Sequence, residues 1–193
     1  MKFILNTAVD PHFCALFDEN GNLIERCEWT NRRRDGQEVF CFLQKHTIGD
    51  AVPLTFLGGV AGPGGFSSLR AGAGILNALS FAFLLPVYQV QADKWIQAFL
   101  GSNNFVLNSF SDGVFFPVTE TAPSRLQRIT VDEAVKKFTK KKLWVELLPE
   151  EKKEKFKNQR PKPFEHSEQA LLRVLEASEP RKEFMPDYEF PPV

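Results

Sequence analysis

A glycine-rich stretch set between two apolar segments constrains this chain more than any other feature. "VAGPGGFSSLRAGAG", residues 60–74, follows a short apolar run at 54–57 that is predicted as a strand. It leads into a helix predicted over 68–85. Pro86 stops that helix, because proline has no N–H to donate and its ring clashes with the preceding turn. Residues 87–90 are then predicted as another strand. A strand–helix–strand succession of this length forms a right-handed parallel crossover. The class is therefore α/β, with a parallel pair of strands at its centre.

The glycines do not spell a phosphate loop. Gly59 and Gly64 have the right separation, but Gly65-Phe66 follows where a lysine and a hydroxyl residue are needed to hold phosphate and magnesium. The dinucleotide pattern G-x-G-x-x-G is absent too. Amides at a helix start still attract anions, so an anion-binding turn stays open on this ground alone.

The helix carries more information. On a helical wheel Gly72, Leu76, Leu79 and Phe83 form one stripe, and Ala71, Gly74, Ala78 and Ala82 form a second, well over 90° around. Only the sector with Arg70, Asn77 and Ser80 is polar. A helix apolar nearly all round is buried on more than one side. The large stripe is expected to pack on the parent sheet. The small stripe suits close approach by another helix, in the same chain or in a partner. A membrane span is disfavoured: the helix would rise about 27 Å against a hydrocarbon core of roughly 30 Å, and Gly72, Gly74, Asn77 and Ser80 dilute it.

The rest of the chain extends the same picture. Residues 2–8, 13–17 and 23–29 read as strands, and Asn20-Gly21 marks a hairpin turn. The chain thus opens on an antiparallel meander. A polar loop, "TNRRRDGQ", precedes a helix at 38–45 with Val39, Phe42 and Leu43 on one face. In the second half, 94–100 reads as a helix, and 105–108 and 113–118 as strands. Thr130 and Glu133 form a capping box that opens a helix. Residues 149–163 are charged and bounded by prolines, and are expected to be exposed. Residues 167–177 form one more helix, before a proline-rich tail. Two parts are expected, 1–100 as a first α/β subdomain and 101–193 as a reduced second one with the tail.

Charge excludes any global pull toward nucleic acid or membrane: 24 basic residues balance 24 acidic ones in 193. Cys14, Cys27 and Cys41 are few, odd in number and far apart. That fits a reducing compartment, the cytoplasm, with each cysteine a small apolar core residue. His12, His46 and His166 are scattered, so neither a zinc motif nor a Ser-His-Asp set is spelled out. The lysines of "KKFTKKK", 136–142, are able to touch phosphate but read first as a solvated helix face.

The signature itself resembles that of the TsaB (YeaZ) family, Gly-Pro-Gly-Ser-Phe-Thr-Gly-Leu/Val-Arg-Ile-Gly. Gly62, Pro63, Gly64, Phe66, Leu69, Arg70 and Gly72 match it, and Ser67 stands for threonine. Gly65 and Ser68 depart, and Val60-Ala61 replaces the Gly-Arg just upstream. "FILNTAVDPHFCALFDENGNLIE" resembles the family's opening strand and hairpin. "LLPVYQVQADKWIQAF" resembles the strand and helix after the signature, and "EPRKEFMPDYEF" echoes its ending. The family's opening Asp-Thr-Ser is Asn6-Thr7-Ala8 here, which removes an aspartate able to act on magnesium. Its Asp-Ala-Arg segment falls on Asn108-Ser109-Phe110.

The resemblance implies a degenerate actin-like, Hsp70-type ATPase (ASKHA) fold with a mixed sheet. It implies a non-catalytic subunit without cofactor or metal that binds a TsaD-like protein. With a TsaE-like protein the complex adds threonylcarbamoyl to N6 of adenosine 37 in tRNA. It also implies a homodimer when alone, indirect contact with tRNA, and no membrane association. Phe66, Arg70, Ala71, Gly74, Ala78 and Ala82, helped by Val39 and Phe42, are then the expected interface residues. The alternative is an ATP-binding enzyme of the same fold, of sugar-kinase or ATPase type. Such an enzyme uses carboxylates for magnesium and for a general base. Asn6 cannot act as that base, and Asp10 and Asp18 read as turn residues.

Overall fold

A computed structural model describes residues 1–30, 35–47, 53–109, 111–118, 125–145, 147–157, 159 and 167–188. The core of the polar loop after Thr30, Phe110 and the last residues of the tail lie outside these, as does most of the stretch 158–166. The chain divides into two compact units, one of residues 1–95 with 168–193, the other of 96–167. The first unit thus includes the helix and tail that the sequence reading grouped with the second half.

The first unit is built on a six-stranded mixed sheet. Strands β1 (Lys2–Asn6), β2 (His12–Phe17) and β3 (Leu23–Trp29) form the expected antiparallel meander. Gly21 sits in the β2–β3 turn at φ 82, a left-handed value that glycine adopts without strain. Asp18 closes this turn by accepting from the Asn22 backbone and side-chain amides, both at 2.8 Å. Strand β4 (Phe56–Gly62) pairs parallel with β1 and with β5 (Val87–Gln91). A two-residue strand, Pro180–Arg181, adds antiparallel to β5 at the far edge.

Strand β4 differs from the sequence expectation. It starts later than predicted and runs through Gly58, Gly59 and Val60 to Gly62, inside the glycine-rich stretch. Strand propensity misses it because glycine is a poor strand former. The glycines serve packing instead. A Cβ on Gly58 would lie 2.8 Å from Leu175 Cδ1, and one on Gly59 would lie 2.6 Å from Leu76 Cδ1. Adjacent strand residues face opposite sides. The helix of Leu76, α2 (Phe66–Phe83), therefore packs on one face of the sheet, and the helix of Leu175 (Ser167–Glu176) on the other.

Helix α1 (Asp35–Thr47) packs against α2. Val39 and Phe42 are buried in a cluster with Phe3, Leu5, Leu57, Ala73 and Leu76. Helix α3 (Ala92–Leu100) follows β5 directly. Trp95, its largest residue, is fully buried, with its ring 5.7 Å from that of Phe13.

The second unit holds a three-stranded antiparallel sheet of β6 (Leu107–Asn108), β7 (Gly113–Val118) and β8 (Arg125–Thr130). Strand β8 is absent from the sequence reading, since "RLQRIT" places its apolar residues three apart instead of two. Thr130 caps α4 (Val131–Lys137) through the expected capping box. The segment after Pro149 was expected to be exposed, but Lys152 and Phe156 are buried. The Lys152 ammonium donates to Asn108 Oδ1 (2.8 Å), Ser109 O (2.8 Å) and Gly113 O (2.9 Å). Three fixed acceptors offset the cost of burying its charge. This cation ties the short helix α5 (Glu150–Lys153) to the β6–β7 turn.

The cysteines differ from one another, which corrects the view of all three as core residues. Cys14 is buried and Cys27 partly so, and they face each other across β2 and β3, but Cys41 is exposed on α1. Burial pushes both the Cys14 and the Cys27 thiols up from their ordinary range. With iodoacetamide at neutral pH we expect Cys41 to be alkylated first and Cys14 only on unfolding, as read by peptide mass spectrometry.

The capping box gives a second expectation. Hydrogen bonds from the Thr130 backbone and side chain hold the Glu133 carboxyl below its usual range. A depressed carboxyl contributes stability that is present above the unfolded pKa, about 4.3, and lost as pH falls through the folded value. Thr130→Ala should cost about 1 kcal/mol at pH 7 and less at pH 3, measured by urea unfolding.

Candidate partner-binding face

The outward side of α2 is where the glycine-rich stretch leads. Its start is fixed by close contacts. Gly62 sits at φ 143, and a Cβ there would lie 2.3 Å from Asp187 O. A Cβ on Gly64 would lie 2.4 Å from Ala8 O, and one on Gly72 would lie 2.3 Å from Thr7 Oγ1. Gly64 and Gly72 press the turn and the first half of the helix against the residues that follow β1, and Gly62 lies against the segment at Asp187. The helix then buries Ser68, Leu69, Gly72, Ala73 and Leu76.

The opposite side is left open. Ser67, Arg70, Gly74, Ala78, Phe81 and Ala82 are all exposed, spaced at three and four residues along one face. Phe81 is 86% exposed. A Cβ on Gly74 would meet nothing within 4 Å. No carboxylate among the described residues forms an ion pair with Arg70. Ala71 is partly buried at the margin of this face. Phe66, 42% exposed, has its ring 4.8 Å from that of Tyr188.

The structure thus brings Arg70, Gly74, Ala78 and Ala82 together on one surface. It does not bring Val39 and Phe42 there, because both are buried beneath α1. Phe83 was placed with the sheet-facing stripe, but it is exposed at the end of the helix. Two residues of the exposed surface were missed. Phe40 on α1 is 64% exposed, and Phe81 stands on α2. Their signal was present: each falls off the apolar stripe of its own helix, an unfavourable place for phenylalanine unless something covers it.

The carboxyl ends of β1, β4 and β5 are the place where α/β folds commonly bind ligands. Here they are closed by the chain itself. Asn6 is fully buried. Its amide donates to Val9 O (2.8 Å) and Pro11 O (3.0 Å), and its oxygen accepts from the Ala8 and Val9 amides (3.1 and 3.3 Å). An aspartate would give those carbonyls no donor. Residues 184–188 lie across the strand ends. The Asp187 amide donates to Ala61 O (2.7 Å), Gln91 Nε2 donates to the Asp187 carboxylate (2.9 Å), and the Met185 amide donates to Gln89 Oε1 (2.9 Å). Asn77 bonds the Phe184 backbone twice, at 2.6 and 3.2 Å. Among the described residues, no group of three or more His, Cys, Asp and Glu side chains is placed to hold a metal ion. The residues at the strand ends do not fit a magnesium-bound nucleotide. Nor is any described helix long and apolar enough to cross a membrane.

A mixed sheet opening on an antiparallel meander, with helices on both faces and a second small unit following α3, defines the class as two-unit α/β. Solved structures narrow it. YeaZ from Pseudomonas aeruginosa is 18% identical over 67% of each chain, with a TM-score of 0.48. A crystal structure of an uncharacterized protein with similarity to peptidase YEAZ from Pseudomonas aeruginosa is also 18% identical over 67% of each chain, with a TM-score of 0.50. No family model and no curated protein sequence matches this chain. Over about two thirds of its length the chain resembles the second of these YeaZ-like structures in fold.

Two glycines only two residues apart in α2, one packed and one open, test this geometry. Gly72→Ala should destabilise the protein by about 1–3 kcal/mol through overpacking against Thr7. Gly74→Ala should stabilise it by about 0.5–1 kcal/mol, because its site is open and glycine is costly in a helix. Urea unfolding of the two variants measures both signs.

Proposed function

We propose that this chain is a non-catalytic, TsaB-like subunit that acts by binding a TsaD-like protein. In this reading the complex, with a TsaE-like protein, adds threonylcarbamoyl to N6 of adenosine 37 in tRNA. TsaD carries the chemistry, so the subunit needs no cofactor of its own. It works in the cytoplasm, and alone it forms a homodimer through the same face. The observation that carries the reading is the exposed side of α2. A small-residue stripe with an open glycine, flanked by exposed Phe81 and an arginine, suits a helix from another chain.

The face has the features of an interface core. Gly74 and Ala78 permit close backbone approach, and Phe81 supplies apolar area. Burying a phenylalanine contributes about 1.5–3 kcal/mol, and Arg70 offers planar donors for a carboxylate. The residues at the strand ends favour this reading over a kinase-like one. The Asn6 amide is committed to its own loop, and residues 184–188 cover the strand ends.

The test is a pull-down with the TsaD-like protein of the same source, followed by a tRNA modification assay. Ala78→Trp should weaken association at least about tenfold, a loss of about 1.4 kcal/mol, with the fold intact by circular dichroism. It should also leave the isolated protein monomeric in sedimentation. Association unchanged by Ala78→Trp would overturn the assignment of this face, and failure of the wild-type chain to bind would overturn the proposed role.

A further inference from the structure

We infer that the second unit carries its own RNA-binding surface, formed by the end of α4 and the turn after it. Basic side chains outnumber acidic ones in residues 96–167, although the whole chain is balanced. Lys136, Lys137, Lys140, Lys141 and Lys142 are all exposed. Three of the carboxylates on α4 and α5 have partners outside this group of lysines. Asp132 pairs with Lys155 at 3.2 Å, Glu150 pairs with Lys153 at 2.8 Å, and Glu133 is held in the capping box. Among the described residues, no carboxylate forms an ion pair with any of these lysines.

Two of these lysines, Lys137 and Lys141, border a groove. The groove, about 240 Å³, is lined by Asn103, Asn104, Gln127, Lys137, Phe138 and Lys141 among others. Lys137 Nζ lies 4.3 Å from the Phe116 ring centroid and 5.9 Å from that of Phe138, and Lys141 Nζ lies 5.9 Å from Phe138. Ring contacts of this kind hold a lysine in place while leaving its ammonium able to donate. The surface thus combines positive charge for phosphates with amide donors and acceptors, and an aromatic ring, for bases and ribose.

RNA fits this chemistry better than a lipid surface does. Membrane-binding helices place large apolar side chains beside their lysines. Here the exposed large apolar residues, Phe40, Phe81 and Leu84 among them, belong to the first unit, and among the described residues the second exposes none. An acidic peptide would use the lysines but leave the amide-lined groove without a role. The surface belongs to the second unit, whereas α2 belongs to the first, and it needs no partner protein, so the inference goes beyond the proposed function.

The experiment is fluorescence anisotropy of an RNA stem–loop of about 20 nucleotides with the full chain, between about 50 and 200 mM salt. Binding should weaken with salt at a log–log slope of about −2 to −4, as expected for three to five phosphate contacts. Lys140→Glu with Lys142→Glu should weaken binding at least about tenfold, and Lys137→Gln with Lys141→Gln at least about threefold. Lys182→Glu, in the first unit, should change it less than about twofold. Circular dichroism checks that the variants are folded. The inference is overturned by absence of binding at about 50 mM salt, or by binding that neither double variant weakens. It is overturned equally if phosphatidylserine vesicles or polyglutamate bind as tightly as the RNA. None of these results bears on α2, which is tested by association with the TsaD-like protein.

Discussion

The seating of α2 on the sheet is the contact on which the rest of the first unit depends. Gly59 leaves room for Leu76 on β4, and Gly72 leaves room for Thr7 at the end of β1. Any side chain at either position would lift the helix. Once seated, α2 offers Ala73, Leu76 and Leu79 to α1, which closes over them with Val39, Phe42 and Leu43. A fully buried leucine contributes about 1.5–3 kcal/mol, so this interlocking is a large share of what holds a marginally stable domain together. The same seating decides what remains outside. With one side committed to the sheet, Arg70, Gly74, Ala78 and Phe81 are left facing outward.

A nucleotide cradle and a partner-binding helix draw on the same local architecture, a strand, a glycine-rich turn and a helix. What separates them here is the use of the turn. In a cradle the glycines keep backbone amides free for phosphate. In this chain they bring the turn against Ala8 and against the segment at Asp187. At the strand ends the Asn6 amide is committed to its own loop and the Gln91 Nε2 group donates to Asp187. The helix that a cradle would use for its N-terminus is distinguished instead by its flank.

Parts of both units are legible from local sequence. Asn20-Gly21 marks the hairpin, Thr130 with Glu133 opens α4, and α2 ends shortly before Pro86, though at a left-handed Leu84 and not at the proline itself. Each of these is decided by a few adjacent residues. The features that escape are decided by distant ones. Strand β4 extends into its glycines because Leu76 and Leu175 pack where side chains would be. Val39 and Phe42 share one helical face with the rest of the α1 core, and only the position of α2 shows that this face is inward. Lys152 looks solvated among its charged neighbours until Asn108, Ser109 and Gly113 are seen around its ammonium. For the candidate site, the small stripe of α2 is readable, and Phe40 and Phe81 stand off the apolar stripes of their helices, but their exposure follows from the burial of the faces next to them.

The first unit is discontinuous in the chain: five strands of its sheet and α2 precede residue 96, and the helix carrying Leu175, the edge strand Pro180–Arg181 and the covering segment at 184–188 come after the second unit. On the ribosome, chains emerge from the N-terminus onward. Strands β1 to β5 therefore emerge with one sheet face bare of Leu175 and with no Phe184 over Gly59. The whole second unit is synthesised before these residues arrive. Completion of the older half thus awaits the younger, and a nascent chain stalled near residue 150 would present an apolar sheet face that a chaperone could recognise.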